Sequence, residues 1–420
     1  MDLLFNGGVG TYVKASSESH TDAGDKANDN VRIDAGRLRA RAVAEGGNLG
    51  MTALARIEFA RTGGRVNTDA LDNSAGVDCS DHEVNIKILL DSLPVDRRLD
   101  PARRSDLLGT LTDDVSELVL ANNRAQNRVL GDARSNAHRM VDVHARMVGD
   151  LVDKRGLDCE LEALPNADGF TELSEAGLGL TSPELATLLA HAKLDLKAEL
   201  VDSAVFIDGY FSGRLGAYFP AALRSVLPVD AHPLRQEILA TEIVNDIFAR
   251  GGLSYAHRLR EETGAGPADV VRAFVITSEV FGLAELWSDI AAAKLPPATE
   301  YELVVEARRL LDRASRWFLA NRRQPLSVDA EIDDFRRAVH THSGDVGGWL
   351  RGARYWRWRK RGESTTRRAS RRPSPGGSRT ASTGSACSTS PTSPANWTTT
   401  SPRWRRSISR SPITSVWIGG

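Results

Sequence analysis

A chain of 420 residues, 41% hydrophobic and 26% charged with a net charge of −1, can bury cores for roughly two or three domains and reads as globular. It contains no run of about eighteen apolar residues, and the opening MDLLFNGGVG has no basic head before an apolar stretch, which argues against a membrane span or a secretory leader. Cys79, Cys159 and Cys387 are too few and too scattered for a disulfide framework or a zinc knuckle, so a reducing, cytoplasmic setting is expected.

Residues 1–90 carry short apolar runs that end in glycine-rich turns: DLLF, ARAVAEG and GGRVNTDAL, each expected as a strand. Between them DKANDNVRIDAGRLRAR and MTALARIEFARTGG are expected as helices, the second closing on a Gly pair suited to a C-cap. Strand–turn–helix units of this length imply parallel strands with helical crossovers, and ligands of open α/β sheets bind at the carboxyl ends of the strands. Two clusters should then share one sheet edge: AEGGNLG (44–50) and NSAGVDCS (73–80); in the latter a turn would explain either the small residues or the polar ones that follow, and a ligand site would explain both. An Asn amide offers a donor and an acceptor together, the complement of a carboxamide, and a Ser hydroxyl can hold a carboxylate without adding charge. Asn after Gly is equally the signature of an ordinary turn. Asp81 is expected as a cap on a following helix and Cys79 as a small buried filler.

From residue 91 the apolar residues recur at helical spacing. In PELATLLAHAKLDLKAEL, Leu185, Leu188, Leu189, Leu194 and Leu196 follow the three-to-four rhythm, with Ser182 as N-cap, Pro183 at the first helical position and Glu184 at the positive end of the dipole. VDAHPLRQEILATEIVNDIFARGG and YELVVEARRLLDRASRWFLANR repeat the pattern, with stripes Ile238, Ile243, Ile247 and Leu303, Leu310, Leu311, Trp317 expected in the core. EETGAGPADVVRAFVITSEVFG has a helix–turn–helix outline, but its second helix carries only Arg272 as a cation. A phosphate-binding face needs clustered Lys and Arg, so a helical hairpin is expected and nucleic acid is not.

The tail breaks the pattern. From 351 onward there are fifteen Arg or Lys against the single acid Glu363, and five of the eight tryptophans fall here. Such a stretch reads as a disordered basic arm, or as a product of translation in a shifted frame. PANWTTTSPRWRRSISRSPITSVWIG can be written in permitted codons that, two bases later, read GELDDDLAEVAAVYFAISDHLGLDW, a well-patterned amphipathic helix. The hypothesis is a frameshift near residue 347. Stop codons or a loss of helical pattern in the shifted frame of the DNA would dispose of it.

Glu45-Gly46-Gly47-Asn48 and Asn73-Ser74-Ala75-Gly76-Val77-Asp78-Cys79-Ser80 resemble the E-G-A-N and N-A-G-G-V-x-x-S motifs of the amino-acid dehydrogenase superfamily, departing at Gly47 and at Ser74-Ala75. DLLFNGGVGTYVKA, GDKAND, EGGNLG, the 63–90 block and GLTSPELA resemble the large NAD-specific glutamate dehydrogenases of bacteria, over residues 2 to about 345. The resemblance implies an NAD-dependent oxidoreductase that converts L-glutamate to 2-oxoglutarate and ammonia, homo-oligomeric at full length. It implies that Asn48 and Asn73 contact the nicotinamide end of the cofactor and that Ser80 holds the substrate side-chain carboxylate. Gly46, Gly47 and Gly76 would keep backbone clear of the ligand. NGGVGTYV lacks the third glycine of a G-x-G-x-x-G fingerprint, and nothing matches the superfamily's upstream catalytic Lys and Asp, so a C-terminal fragment, inactive alone, is expected. The fold expected is an α/β remnant of a Rossmann-like nicotinamide-binding domain (1–90), a mostly α-helical domain (91–346) and the basic tail (347–420). The competing reading is a helical scaffold or interaction protein with a vestigial nucleotide-binding segment.

Overall fold

A computed structural model describes residues 1–342 apart from 208 and 225–227; the basic tail and the frameshift reading lie outside the described residues. Two compact units divide the chain, Met1–Val271 and Arg272–Gly420.

The first unit opens with two small parallel pairs. Strand β1 (Leu3–Asn6) runs beside β4 (Ala42–Glu45), with Leu3 opposite Ala42 and Asn6 opposite Glu45. Strand β2 (Val13–Lys14) runs beside β3 (Ile33–Asp34). Arg65 adds an isolated parallel bridge to Ala42, so GGRVNTDAL supplies one bridging residue where a third strand was expected. DKANDNVRIDAGRLRAR is not helical: it forms two 3-10 turns, Lys26–Asn28 and Ala35–Arg37, around β3. Buried Arg32 explains the departure. Its guanidinium donates to the Thr11 carbonyl at 2.8 Å and to Asp29, while Asp25 accepts from the Thr11 N–H at 2.8 Å, so side-chain bonds to the neighbouring loop replace helical ones.

Helix α1 (Ala53–Arg61) begins where the Thr52 hydroxyl accepts from Ala55 N–H at 3.2 Å. It buries Ala55 and Phe59 against Val13, Val43, Met51 and Val66, the core under both strand pairs. α2 (Asp69–Asp72) leads with a one-residue break at Asn73 into α3 (Ser74–Asp91). α4 (Pro101–Thr110), α5 (Thr112–Ser135), α6 (Val141–Arg155), α7 (Ala167–Glu175), α8 (Ser182–Val201), α9 (Gly209–Tyr218), α10 (Ala221–Arg224), α11 (Arg235–Gly251) and α12 (Tyr255–Thr263) follow. α8 is central, packing on α1, α5, α6 and α11. Its N-cap is Thr181 rather than Ser182, because the Glu184 carboxylate reaches back to the Thr181 N–H and hydroxyl, both at 2.6 Å. Arg61 of α1 donates to that carboxylate at 3.2 Å and to the Gly179 carbonyl at 2.7 Å, tying α8 to the α/β part. The stripe Leu185, Leu188, Leu189 and Leu196 is buried as expected, as are Ile238, Ile243 and Ile247, but Leu194 is 62% exposed.

α13 (Pro267–Phe281) follows α12 after residues 264–266. In the second unit α14 (Leu283–Ala292) packs on α15 (Pro297–Asn321), and α16 (Val328–His342) closes the described chain. Leu303, Leu310 and Leu311 are buried, and the half-buried Trp317 meets Phe318 and Phe335 edge-on. No helix among the described residues is long and apolar enough to cross a membrane.

Candidate functional site

β1 and β4 end together at Asn6 and Glu45, and the loop that leaves β4 is shaped by the last residue of that strand. Glu45 is buried and paired with buried Arg56 at 2.6 Å. Its other carboxylate oxygen accepts the Gly50 N–H at 3.1 Å, which folds residues 46–50 back over the strand end. Asp72 accepts the Glu45 N–H at 3.1 Å, and Asp69 accepts the Leu49 N–H at 2.8 Å. Burial raises the Asp72 pKa in spite of its hydrogen bonds to Asn67 and Glu45. Leu49 sits at φ 61, a left-handed conformation that costs a residue with a Cβ about 1 kcal/mol or more, and the carboxylate of Asp69 holds it there.

This loop delivers Asn48 to Asn73. The Asn73 side-chain amide donates to the Gly47 carbonyl at 3.1 Å and to the Asn48 side-chain oxygen. The Asn48 NH2 and the Asn73 side-chain oxygen have no other partner among the described residues, so the pair presents one donor and one acceptor outward. The glycines beside them serve the backbone itself. A Cβ on Gly47 would stand 2.4 Å from the Gly8 carbonyl oxygen, and one on Gly46 would stand 3.0 Å from the Phe5 ring. Gly76 faces open space.

The NSAG stretch is not a turn. α3 already begins at Ser74, so Asp81 lies inside the helix and caps nothing, and Cys79 is exposed rather than buried. Small residues suit the first helical turn here because Asn123 of α5 comes close, donating to the Ser74 hydroxyl at 2.8 Å and to the Leu71 carbonyl at 3.0 Å. Half-buried Asn73 and the exposed Gly76, Val77 and Ser80 are then spaced three to four apart along one stripe. The Ser80 hydroxyl donates to the Gly76 carbonyl at 3.2 Å, a bond within the helix that leaves its oxygen free to accept; its proton turns outward only in exchange for that bond. Phe5, Leu49 and Val77 add exposed apolar surface around the amide pair. The two amides therefore touch, and the hydroxyl lies further along the stripe that starts at Asn73.

The opposite face of α3 holds groups to which sequence reading assigned no role. His82 is buried, with Nδ1 3.0 Å from the Asp78 carbonyl oxygen and 3.3 Å from its carboxylate. Burial alone would lower the His82 pKa, but Asp78 and the more distant Glu242 carboxylate hold it above its ordinary value. Lys193 of α8, donating to Gln126 at 3.3 Å, is brought down to about 8 by burial, and Glu242 of α11 is pushed up to about 7 by burial. Motif residues 78, 82 and 85 thus face inward while 76, 77 and 80 face solvent. Among the described residues no group of three His, Cys, Asp or Glu side chains could hold a metal.

A small parallel α/β edge carries the amide pair at its carboxyl end, the place where open α/β sheets bind ligands. Residues 1–133 match the model for the bacterial NAD-glutamate dehydrogenase catalytic domain, and residues 177–375 match that for the glutamate dehydrogenase C-terminal region. The second match reaches into the basic tail. NAD-specific glutamate dehydrogenase of Mycobacterium tuberculosis is 51% identical over 84% of this chain, that of Pseudomonas aeruginosa 43% over 80%, and that of Halomonas elongata 40% over 86%. The chain is similar to the bacterial NAD-specific glutamate dehydrogenases, and it spans about 22% of the length of the Mycobacterium relative.

Proposed function

We propose that this chain supplies the nicotinamide-facing and substrate-carboxylate-facing wall of an NAD-dependent glutamate dehydrogenase, with residues 1–90 as the C-terminal half of a Rossmann-like domain. The observation that carries the reading is the Asn48–Asn73 pair, which holds one free amide donor and one free acceptor at the carboxyl end of parallel strands. That set complements the carboxamide of nicotinamide, and exposed Phe5, Leu49 and Val77 suit a flat ring. Bound NAD would accept a hydride from Cα of L-glutamate, leaving an iminium that water hydrolyses to 2-oxoglutarate and ammonia. In that reaction Asn48 and Asn73 orient the carboxamide, and Ser80 donates a hydrogen bond to the distal carboxylate of the substrate. Gly76 leaves the stripe between them open. The chain carries no match to the superfamily's catalytic Lys and Asp, so those groups would come from another part of the active site. A scaffold role is not favoured, since the family match over residues 1–133 is to a catalytic domain.

Saturation-transfer NMR on the purified chain tests this. The nicotinamide protons of NAD are expected to receive transfer from the wild-type chain and to lose most of it in Asn73→Ala. Equal transfer in both proteins, or transfer to the adenine alone, would show that the amide pair is not a nicotinamide contact.

A further inference from the structure

The half of α3 that carries Ser80 has almost no apolar core beneath it. From Ser74 to Val84 the only buried side chain is His82, whereas Ile86, Leu89 and Leu90 anchor the second half. Val77 and Val84 are exposed. What holds the first half is polar: Asn123 on Ser74, Asn122 on Asp78 at 2.9 Å, and a cluster around Tyr218.

Tyr218 ends α9 and is buried. Its ring lies against the His82 imidazole, with centroids 4.4 Å apart and planes 10° from parallel. Its hydroxyl donates to the Asp81 carboxylate at 2.7 Å and accepts from the Asn85 side-chain amide at 2.8 Å. Burial, followed by the Asp81 carboxylate, raises the phenol pKa, so the hydroxyl remains a donor throughout the neutral range. His232 completes the grip. Its Nδ1 accepts the Leu234 N–H at 3.0 Å, which leaves Nε2–H to donate to the Asn85 carbonyl at 3.0 Å. The Phe219 ring lies 5.6 Å from His232 and edge-on to Tyr218 at 5.0 Å. Tyr218 and His232, with Phe219 packed against both, therefore grasp the helical turn Asp81–Asn85 that directly follows Ser80.

We propose that Tyr218 is a positioning residue, which through Asp81, His82 and Asn85 fixes the turn of α3 behind Ser80 and so sets the Asn73–Gly76–Ser80 stripe against a dicarboxylate substrate. The substrate half of this statement rests on the reading of Ser80 given above; the clamp itself does not. A tyrosine that only filled space would act through its ring. This one spends its hydroxyl on two α3 side chains on opposite sides of one turn, where no apolar contact would otherwise hold the helix.

The test is hydrogen exchange on the full 420-residue chain. Tyr218→Phe keeps the ring stack and removes both hydroxyl bonds. Exchange over residues 76–85 is expected to quicken about tenfold, the equivalent of one buried hydrogen bond, while α11 stays at wild-type rates. Asp81→Asn, which still offers an acceptor, should keep near-wild-type exchange. Asp81→Leu, which leaves the Asn85–Tyr218 bond in place, should give part of the Tyr218→Phe effect, and the double variant should be no faster than Tyr218→Phe alone. Unchanged exchange at 76–85, a rise spread evenly over α8 and α11, or additive effects in the double variant would overturn the clamp. Saturation transfer to 2-oxoglutarate separates the two halves. Loss in both Ser80→Ala and Tyr218→Phe supports the whole proposal. Loss in neither, with α3 loosened in Tyr218→Phe, keeps the clamp and overturns its link to substrate.

Discussion

Glu242 makes the stability of this chain depend on pH in a direction opposite to that of most carboxylates. It projects from α11 toward α3, where His82 and Asp78 lie, with Arg214 of α9, Asp246 of its own helix and Lys193 of α8 as the other charged neighbours. Burial is the largest influence and pushes the pKa up to about 7 from 4.5; Asp246 and Asp78 add to the rise, and His82 and Arg214 oppose it. An unfolded chain loses this proton near 4.5 while the folded chain keeps it to about 7, so the stability it contributes is full below 4.5 and is lost as pH rises through 7. The displacement corresponds to roughly 3 kcal/mol at pH 8. Glu242→Gln imitates the protonated form and removes the titration. The variant is therefore expected to equal the wild type at pH 5 and to melt higher at pH 8, by roughly 3–6 °C for a chain of this size. Taking the difference between the two proteins cancels the other titrating groups. Above pH 8 Lys193 adds a term of the opposite sign, since its folded pKa of about 8 lies below its ordinary 10.5, so the comparison stops at pH 8. A difference in melting temperature that stays constant from pH 5 to pH 8 would refute the placement of Glu242 in a desolvated cluster.

Three further outcomes are expected. His144 is buried, its Nδ1 has no hydrogen-bond partner among the described residues, and burial brings its pKa down to about 4. The stability linked to it is present above 6.5 and lost as pH falls through 4, so His144→Leu should flatten the acid limb of the wild-type unfolding curve; an unchanged limb would place the charge-sensitive group elsewhere. Glu45→Gln leaves the Arg56 guanidinium buried without its counter-charge and should cost about 3 kcal/mol by urea unfolding, where a loss under 1 kcal/mol would mean that the pair does not hold the loop. Gly47→Ala sets a methyl 2.4 Å from the Gly8 carbonyl and should destabilise by roughly 1–3 kcal/mol, whereas Gly76→Ala enters open space within a helix and should stabilise by up to about 1 kcal/mol while weakening 2-oxoglutarate contact; the reverse order of stabilities would contradict the packing.

Long elements with a strong apolar period were the most legible part of the fold. Leu185 to Leu196 in α8 and Ile238 to Ile247 in α11 lie in the core because a helix repeating leucines or isoleucines every three to four residues has one way to bury them. Leu194 escaped because a stripe wider than the contact face leaves its edge in solvent. Segment 25–41 was misread for a different reason. Its charged residues look like a solvated helix, but Asp25, Asp29 and Arg32 spend their hydrogen bonds on the loop at Thr11, and no period in the sequence marks such a partnership. The start of α3 was placed too late because Asn73-Ser74-Ala75-Gly76 carries turn propensity that the contact with Asn123 overrides.

The site follows the same logic at the scale of single residues. Asn48 and Asn73 were expected at one sheet edge facing a shared ligand, but their bond to each other was not legible, because Asn73 follows α2 and not the strand expected there. Glu45 carried a signal that went unused: an acid that closes an apolar strand must be buried with a cation, and Arg56, between the core residues Ala55 and Phe59, is the cation within reach. Tyr218 carried no such signal, because its partners Asp81 and Asn85 are more than 130 residues away and only the folded chain brings them together. The text from Asn73 to Asn85 is dense in polar residues because α3 must satisfy two surfaces at once. In the function proposed above its outer stripe offers small groups and a hydroxyl to a ligand, while its inner stripe uses Asp78, His82 and Asn85 to dock a helix whose first three turns bury no apolar side chain. A single helix under both demands ties the helical part of the unit to the chemistry proposed for its α/β edge, so a change at Tyr218 reaches the substrate stripe through one rigid element.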